Sequence, residues 1–130
     1  METIIDIINK LENLRHLQAA SSADVEMAEK RLGIKFAPDY KQYVQTYGAI
    51  IARGLEFTGV SVPARLNVVD VTLYEREREN IPESYYVIEN LNIESILVLQ
   101  NSEGHIAEYC DGKMNNIANS LSEYLMLKHK

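Results

Sequence analysis

The chain has 130 residues, with 13 Lys and Arg set against 19 Asp and Glu, a formal net charge of −6. Such a balance argues against binding nucleic acid through its phosphates, which takes clustered Lys and Arg, and favours a basic partner. The length fits one domain, 1–130, and is too short for two; one cysteine, Cys110, excludes an internal disulfide, and no Cys/His group has metal-ligand spacing.

The start, Met1-Glu2-Thr3, is unlike a secretory signal, and no run could span a bilayer, so the expected location is the cytoplasm. Ile4, Ile5, Ile8, Leu11 and Leu14 recur at three- and four-residue steps and predict an opening helix. Ser21 and Ser22 offer N-cap oxygens to a second helix, with Val25, Ala28 and Leu32 on its apolar face and Glu26, Glu29, Lys30 and Arg31 on the wet one. Gly33 follows where a helix favours a left-handed residue. Pro38 suits a first helical turn, and Tyr40, Tyr43, Val44 and Tyr47 form the apolar stripe of a third helix, ended by Gly48. Tyrosines at that spacing indicate core, with hydroxyls reaching water at the rim, ahead of a stacking platform.

From Ala49 the texture changes. Ala49–Ala52 and Leu55–Val60 read as strands around a tight turn at Gly54, and Pro63 marks the loop that follows. In the stretch 66–78, Val68, Val69, Val71 and Tyr74 favour strand by propensity. Against them stand Asn67 as an N-cap, the helical step of Val68, Val71 and Glu75, and the run Glu75-Arg76-Glu77-Arg78-Glu79, which pairs its charges only on a helix. The prediction is helix. Residues 85–89, 95–100 and 105–109 then predict three strands of an antiparallel meander, with Asn101-Ser102-Glu103-Gly104 as a hairpin loop. Ile117, Leu121, Tyr124 and Leu125 predict a last helix over 117–127. The fold class is α+β, an antiparallel sheet packed by N-terminal helices and a C-terminal helix.

The block Ala28–Phe36, then Asp39-Tyr40-Lys41 and Tyr47-Gly48, resembles the N-terminal signature of the SUKH superfamily, whose founding branch is the Smi/Knr family. Gly54–Val60, Arg65–Thr72, Tyr86–Glu89, Asn92-Ile93 and Ile117–Tyr124 resemble a bacterial branch of it, so the similarity runs through roughly residues 22 to 125. Two departures are Leu99, where relatives often carry an aromatic, and one extra residue between Phe36 and Pro38. The resemblance implies a helix-flanked antiparallel sheet with no defined catalytic residue and no cofactor. Many bacterial members look like immunity proteins encoded beside polymorphic toxins, whose toxic domains are frequently nucleases. Fungal members look like regulatory scaffolds.

Motifs for chemistry are missing: no phosphate-cradling loop, no His-Glu-x-x-His, no Gly-x-Ser-x-Gly. His105 and Cys110 are close in sequence, but five residues along a strand set them on opposite faces. His16 and His129 fall near helix ends and are expected in solvent, and Asp70 and Glu75 read as a cap and an ion-pair partner.

Binding is the expectation that remains. Glu56, Glu89, Glu94, Glu103, Glu108 and Asp111 fall in or beside strands and hairpins, where they can present carboxylates to a basic toxin domain. Tyr85, Tyr86 and Tyr109 are the aromatic anchors to consider, Tyr85 foremost, with at least one facing the core. The expected partner is a cognate toxin protein, with no nucleic acid and no membrane, and the chain itself is expected as a monomer or weak homodimer. Two other readings stand beside this one: a regulatory interaction module with no toxin partner, and a small-ligand binder using a pocket between sheet and helices.

Overall fold

The computed structural model describes residues 3–91 and 96–128. Helix α1 (Ile4–Asn9) opens with a capping box in which Thr3 and Asp6 satisfy each other's backbone N–H groups. It is shorter than the apolar stripe predicts. The chain leaves the helix before Leu11 and Leu14, which pack on the core from irregular backbone, and residues Arg15–His16 form a two-residue strand, β1. His16 is exposed, as expected, but lies on a strand with its ring 5.2 Å from that of Tyr47.

Helix α2 (Ser22–Leu32) begins at a Ser21–Asp24 capping box and stops at Gly33, whose φ of 70° is the left-handed cap conformation. The wet face predicted for Glu29 is a correction. Position 29 lies four residues after Val25 and three before Leu32, so helical geometry puts it on their buried face. There its Oε2 accepts the Phe36 N–H at 2.8 Å, and the Lys41 and Lys35 ammonium groups stand 3.5 and 3.9 Å away.

Helix α3 (Pro38–Tyr47) drives Tyr40 and Tyr43 into an aromatic cluster with Phe36, Phe57 and Tyr86, their ring centroids 4.8–5.8 Å apart. The hydroxyls do not reach water at the rim. Tyr40 pairs with the Thr58 hydroxyl at 2.9 Å, while Tyr43 donates to the Thr58 carbonyl at 2.7 Å and accepts the Ile50 N–H at 3.0 Å. A buried hydroxyl needs such a partner, and Thr58 supplies it.

The strands make two antiparallel sheets instead of one. β1, β2 (Ile50–Ala52) and β3 (Leu55–Phe57) form the first, in that order. After a 3₁₀ turn at Ala64–Leu66 and helix α4 (Val68–Glu79), capped by Asn67 as predicted, come β4 (Tyr85–Asn90), β5 (Leu97–Asn101), β6 (Ile106–Cys110) and β7 (Lys113–Ala118) in sequential order. Thr58 joins the sheets: its N–H donates to the Ile88 carbonyl at 2.9 Å and its hydroxyl to the Val87 carbonyl at 2.8 Å.

Strand β7 corrects the predicted start of the last helix at 117. Asp111 and Gly112 both take positive φ, 50° and 78°, as a tight two-residue hairpin turn requires, and the chain folds back along β6 as far as Ala118. Helix α5 (Leu121–Lys128) begins only there. Ser120 Oγ accepts the Glu123 N–H at 3.0 Å, and Asp39 Oδ2 accepts the Leu121 N–H at 2.8 Å.

Both faces of the larger sheet are covered. Tyr86, Val98, Ile106 and Ala118 join the main core with residues of α3 and α5, while Val87, Leu97, Leu99 and Tyr109 form a second small core with Ile81 and Val71 of α4. The α+β class and the helices at both ends of the chain are as expected. Burial on both faces decides which of the strand carboxylates reach solvent.

Candidate binding groove

Where β3 meets β4, the smaller sheet and α4 do not close over the seam, and a groove runs across it. One half is a hollow of about 340 Å³ between Glu56, Arg65, Asp70, Val71, Tyr74 and Asn90. The other shares Glu56 and Asn90 and continues past Leu55 and Leu91 to Glu89 and Lys128, a hollow of about 590 Å³. Across both halves four carboxylates, Glu56, Asp70, Glu75 and Glu89, stand against two cations, Arg65 and Lys128. The groove is acidic.

Most of its charges are engaged. Glu56 accepts from Arg65 Nη1 at 2.7 Å. Glu75, buried on α4, holds Arg78 Nε at 3.0 Å, and Glu79 holds Arg78 Nη1 at 3.2 Å. These contacts push the Arg78 guanidinium above the usual arginine range, the hydrogen bond to Glu75 first and its charge next. The same guanidinium lies 5.7 Å from the centroid of the Tyr74 ring. Asp70, in the first turn of α4, is exposed, and its carboxylate makes no hydrogen bond or ion pair among the described residues, so it does not serve as the cap read from sequence. Tyr74 keeps 61% of its surface open.

Glu89 forms the floor of the other half and is only 3% exposed. Its Oε1 accepts the Tyr124 hydroxyl at 2.6 Å, and its two oxygens accept from Lys128 Nζ at 2.9 and 3.0 Å. Burial, and then the negative charges of Glu89 and Glu108 with the hydrogen bond to Glu89, push the Tyr124 hydroxyl well above the usual tyrosine range.

Of the residues singled out from sequence, the groove brings together Glu56 and Glu89. Glu89 does not present a free carboxylate, because strand β4 is covered on both faces and Lys128 and Tyr124 close over its side chain. Glu108 is half-buried on β6, across Val98 from Glu89, and lines an adjoining hollow with Ile117 and Leu127 that shares Leu91 and Lys128 with the groove. Tyr85 lies at the opposite end of β4, half-buried against the second core. Glu103, exposed in the β5–β6 turn, belongs to that far end too, and Asp111 is exposed at the β6–β7 turn. Glu94 lies outside the described residues, as do Asn92, Ile93 and His129. Tyr86 and Tyr109 are buried, with their hydroxyls donating to Gln100 Oε1 and the Glu79 carbonyl.

Sequence reasoning missed Tyr74 as an exposed anchor. Its signal was the helical step Asp70, Tyr74, Arg78, which stacks the three on one face of α4. No group of three or more His, Cys, Asp or Glu fit to hold a metal ion occurs among the described residues, and no helix there is long and apolar enough to cross a membrane. The arrangement is one of paired charges around an exposed aromatic, which suits contact with another molecule.

The family model SUKH_5, described as SMI1-KNR4 cell-wall, matches residues 1–128. The chain belongs to the SMI1-KNR4 family. No curated protein matches it. Several residues of the N-terminal block that resembles the family are buried or capping groups. Gly33 ends α2, Glu29 fixes the entry to α3, and Asp39 caps α5 while its Oδ1 accepts from Gln100 Nε2 at 3.1 Å. Gln100 in turn accepts the Tyr86 hydroxyl at 2.7 Å. These contacts hold the helices of this SMI1-KNR4 domain on its sheets.

Proposed function

We propose that this SMI1-KNR4 chain is a non-catalytic immunity protein that acts in the cytoplasm by binding and neutralising a cognate bacterial polymorphic toxin domain, with a nuclease as the favoured class. The family supplies the kind of activity, since many bacterial members look like immunity proteins. The observation that carries the reading is the groove: carboxylates outnumber cations around an exposed tyrosine, within a chain of net charge −6. A nuclease is basic where it meets phosphates, so an inhibitor that presents carboxylates there gains encounter rate and selectivity. The inhibitor needs only to cover the toxin's site, and about 800 Å² of its own surface suffices for a stable complex.

The test is co-expression with the toxin domain encoded beside this chain's gene. Growth should be restored and the two proteins should co-purify. Continued killing by a toxin of verified activity, with the immunity chain soluble and folded, contradicts the proposal and favours a regulatory module.

A further inference from the structure

We infer that the partner docks on the outer face of α4 and seats an arginine side chain between Tyr74 and Asp70. This rests on the immunity reading for the identity of the partner and goes beyond it in naming the surface and the group it takes.

Asp70 and Tyr74 are four residues apart on α4 and so are neighbours on its surface. The ring is 61% exposed, and the Arg78 guanidinium, itself held by Glu75 at 3.0 Å and Glu79 at 3.2 Å, lies 5.7 Å from its centroid. A ring braced by such a contact has less freedom to lose when a partner covers it. Arg78 also displays the recognition mode within the chain: a guanidinium over a tyrosine ring, flanked by carboxylates. Among the described residues Asp70 has no cation partner, and Val71 and Leu66 line the same hollow. A partner arginine would make with Tyr74 and Asp70 the arrangement that Arg78 makes with Tyr74, Glu75 and Glu79. Arginine fits better than lysine, since its planar head stacks on the ring while pairing with a carboxylate. Glu103 and Asp111, exposed carboxylates singled out from sequence, lie in the β5–β6 and β6–β7 turns, and Tyr74 is the one aromatic among the exposed large hydrophobic side chains of the described residues.

The probe is an acetylated, amidated tri-arginine peptide, titrated at low ionic strength into the isotope-labelled full chain and followed by nuclear magnetic resonance. Amide shifts should centre on Asp70, Val71 and Tyr74. Tyr74→Ala should weaken binding about fivefold, the scale of an exposed cation–π contact, and Asp70→Asn about threefold, the scale of an exposed ion pair. Glu103→Gln should leave binding unchanged, and each variant's circular dichroism should match the parent's. Shifts centred on Glu103 or Asp111, or spread evenly over all carboxylates, overturn the inference. Growth rescue that survives Tyr74→Ala with Asp70→Asn overturns the docking surface while leaving the immunity reading intact. Failure of rescue by the parent chain, with the peptide still seated on α4, defeats the immunity reading alone.

Discussion

Replacing Glu89 by alanine separates a structural carboxylate from a binding one. The side chain is 3% exposed and accepts one hydrogen bond from Tyr124, at 2.6 Å, and two from Lys128, at 2.9 and 3.0 Å. Breaking a fully buried ion pair costs about 3–5 kcal/mol. Lys128 keeps 24% of its side chain open and sits in the last turn of α5, so its ammonium can turn to water. That lowers the charge contribution to about 2 kcal/mol, and the buried Tyr124 hydroxyl left without its acceptor adds about 1 kcal/mol. Urea unfolding followed by circular dichroism should therefore show a loss of about 3 kcal/mol with an unchanged denaturant slope. The double variant Glu89→Leu, Lys128→Met should recover to within about 1 kcal/mol of the parent, because an apolar pair of similar volume is close to neutral in such a site. An unchanged midpoint for Glu89→Ala, together with lost partner binding, would refute this reasoning and return Glu89 to the binding surface.

Two further outcomes follow from the packing. A β-carbon at Gly59 would lie 1.7 Å from the Gly48 carbonyl oxygen and 2.7 Å from the Ala49 β-carbon, so Gly59→Ala should abolish the cooperative unfolding transition and recovery of soluble protein; a soluble variant with the parent's melting curve would contradict this close approach. Burial holds the hydroxyls of Tyr40, Tyr43, Tyr86 and Tyr124 above the ordinary tyrosine range in the folded state. Above about pH 10 the unfolded chain then binds fewer protons than the folded one, so stability is complete below that pH and falls as pH rises through it, by up to about 5 kcal/mol per unit for four such groups. Phenolate absorbance should show these four ionising only as the chain unfolds, whereas a smooth titration of all tyrosines in folded protein would contradict their burial.

What the sequence disclosed was local. Ser21 and Gly33 bound α2, and Asn67 starts α4 against the strand propensity of its valines, because caps and ion-pair spacing act within a few residues. Strand β7 went unread because Lys113, Met114, Asn115 and Asn116 are exposed on a sheet edge and show no alternation, though the Asp111-Gly112 pair was a hairpin signal in plain view. Strand β1, two exposed residues long, exists only by pairing with β2 and carries no pattern of its own. In the groove, Glu56 was legible as a strand carboxylate. The fate of Glu89 was not, since its partners lie 35 and 39 residues away on α5. Tyr74 was hidden for a related reason: its exposure depends on what α4 packs against, and the core takes Val68, Val69 and Thr72 from the same helix.

The proposed function requires this chain to act by covering a toxin. The direct measurement titrates the purified chain into a fixed amount of the neighbouring toxin domain while its reaction is followed. Inhibition rising linearly and completing at equal amounts of the two proteins is the predicted result. Undiminished toxin activity at a large excess of folded chain would contradict it.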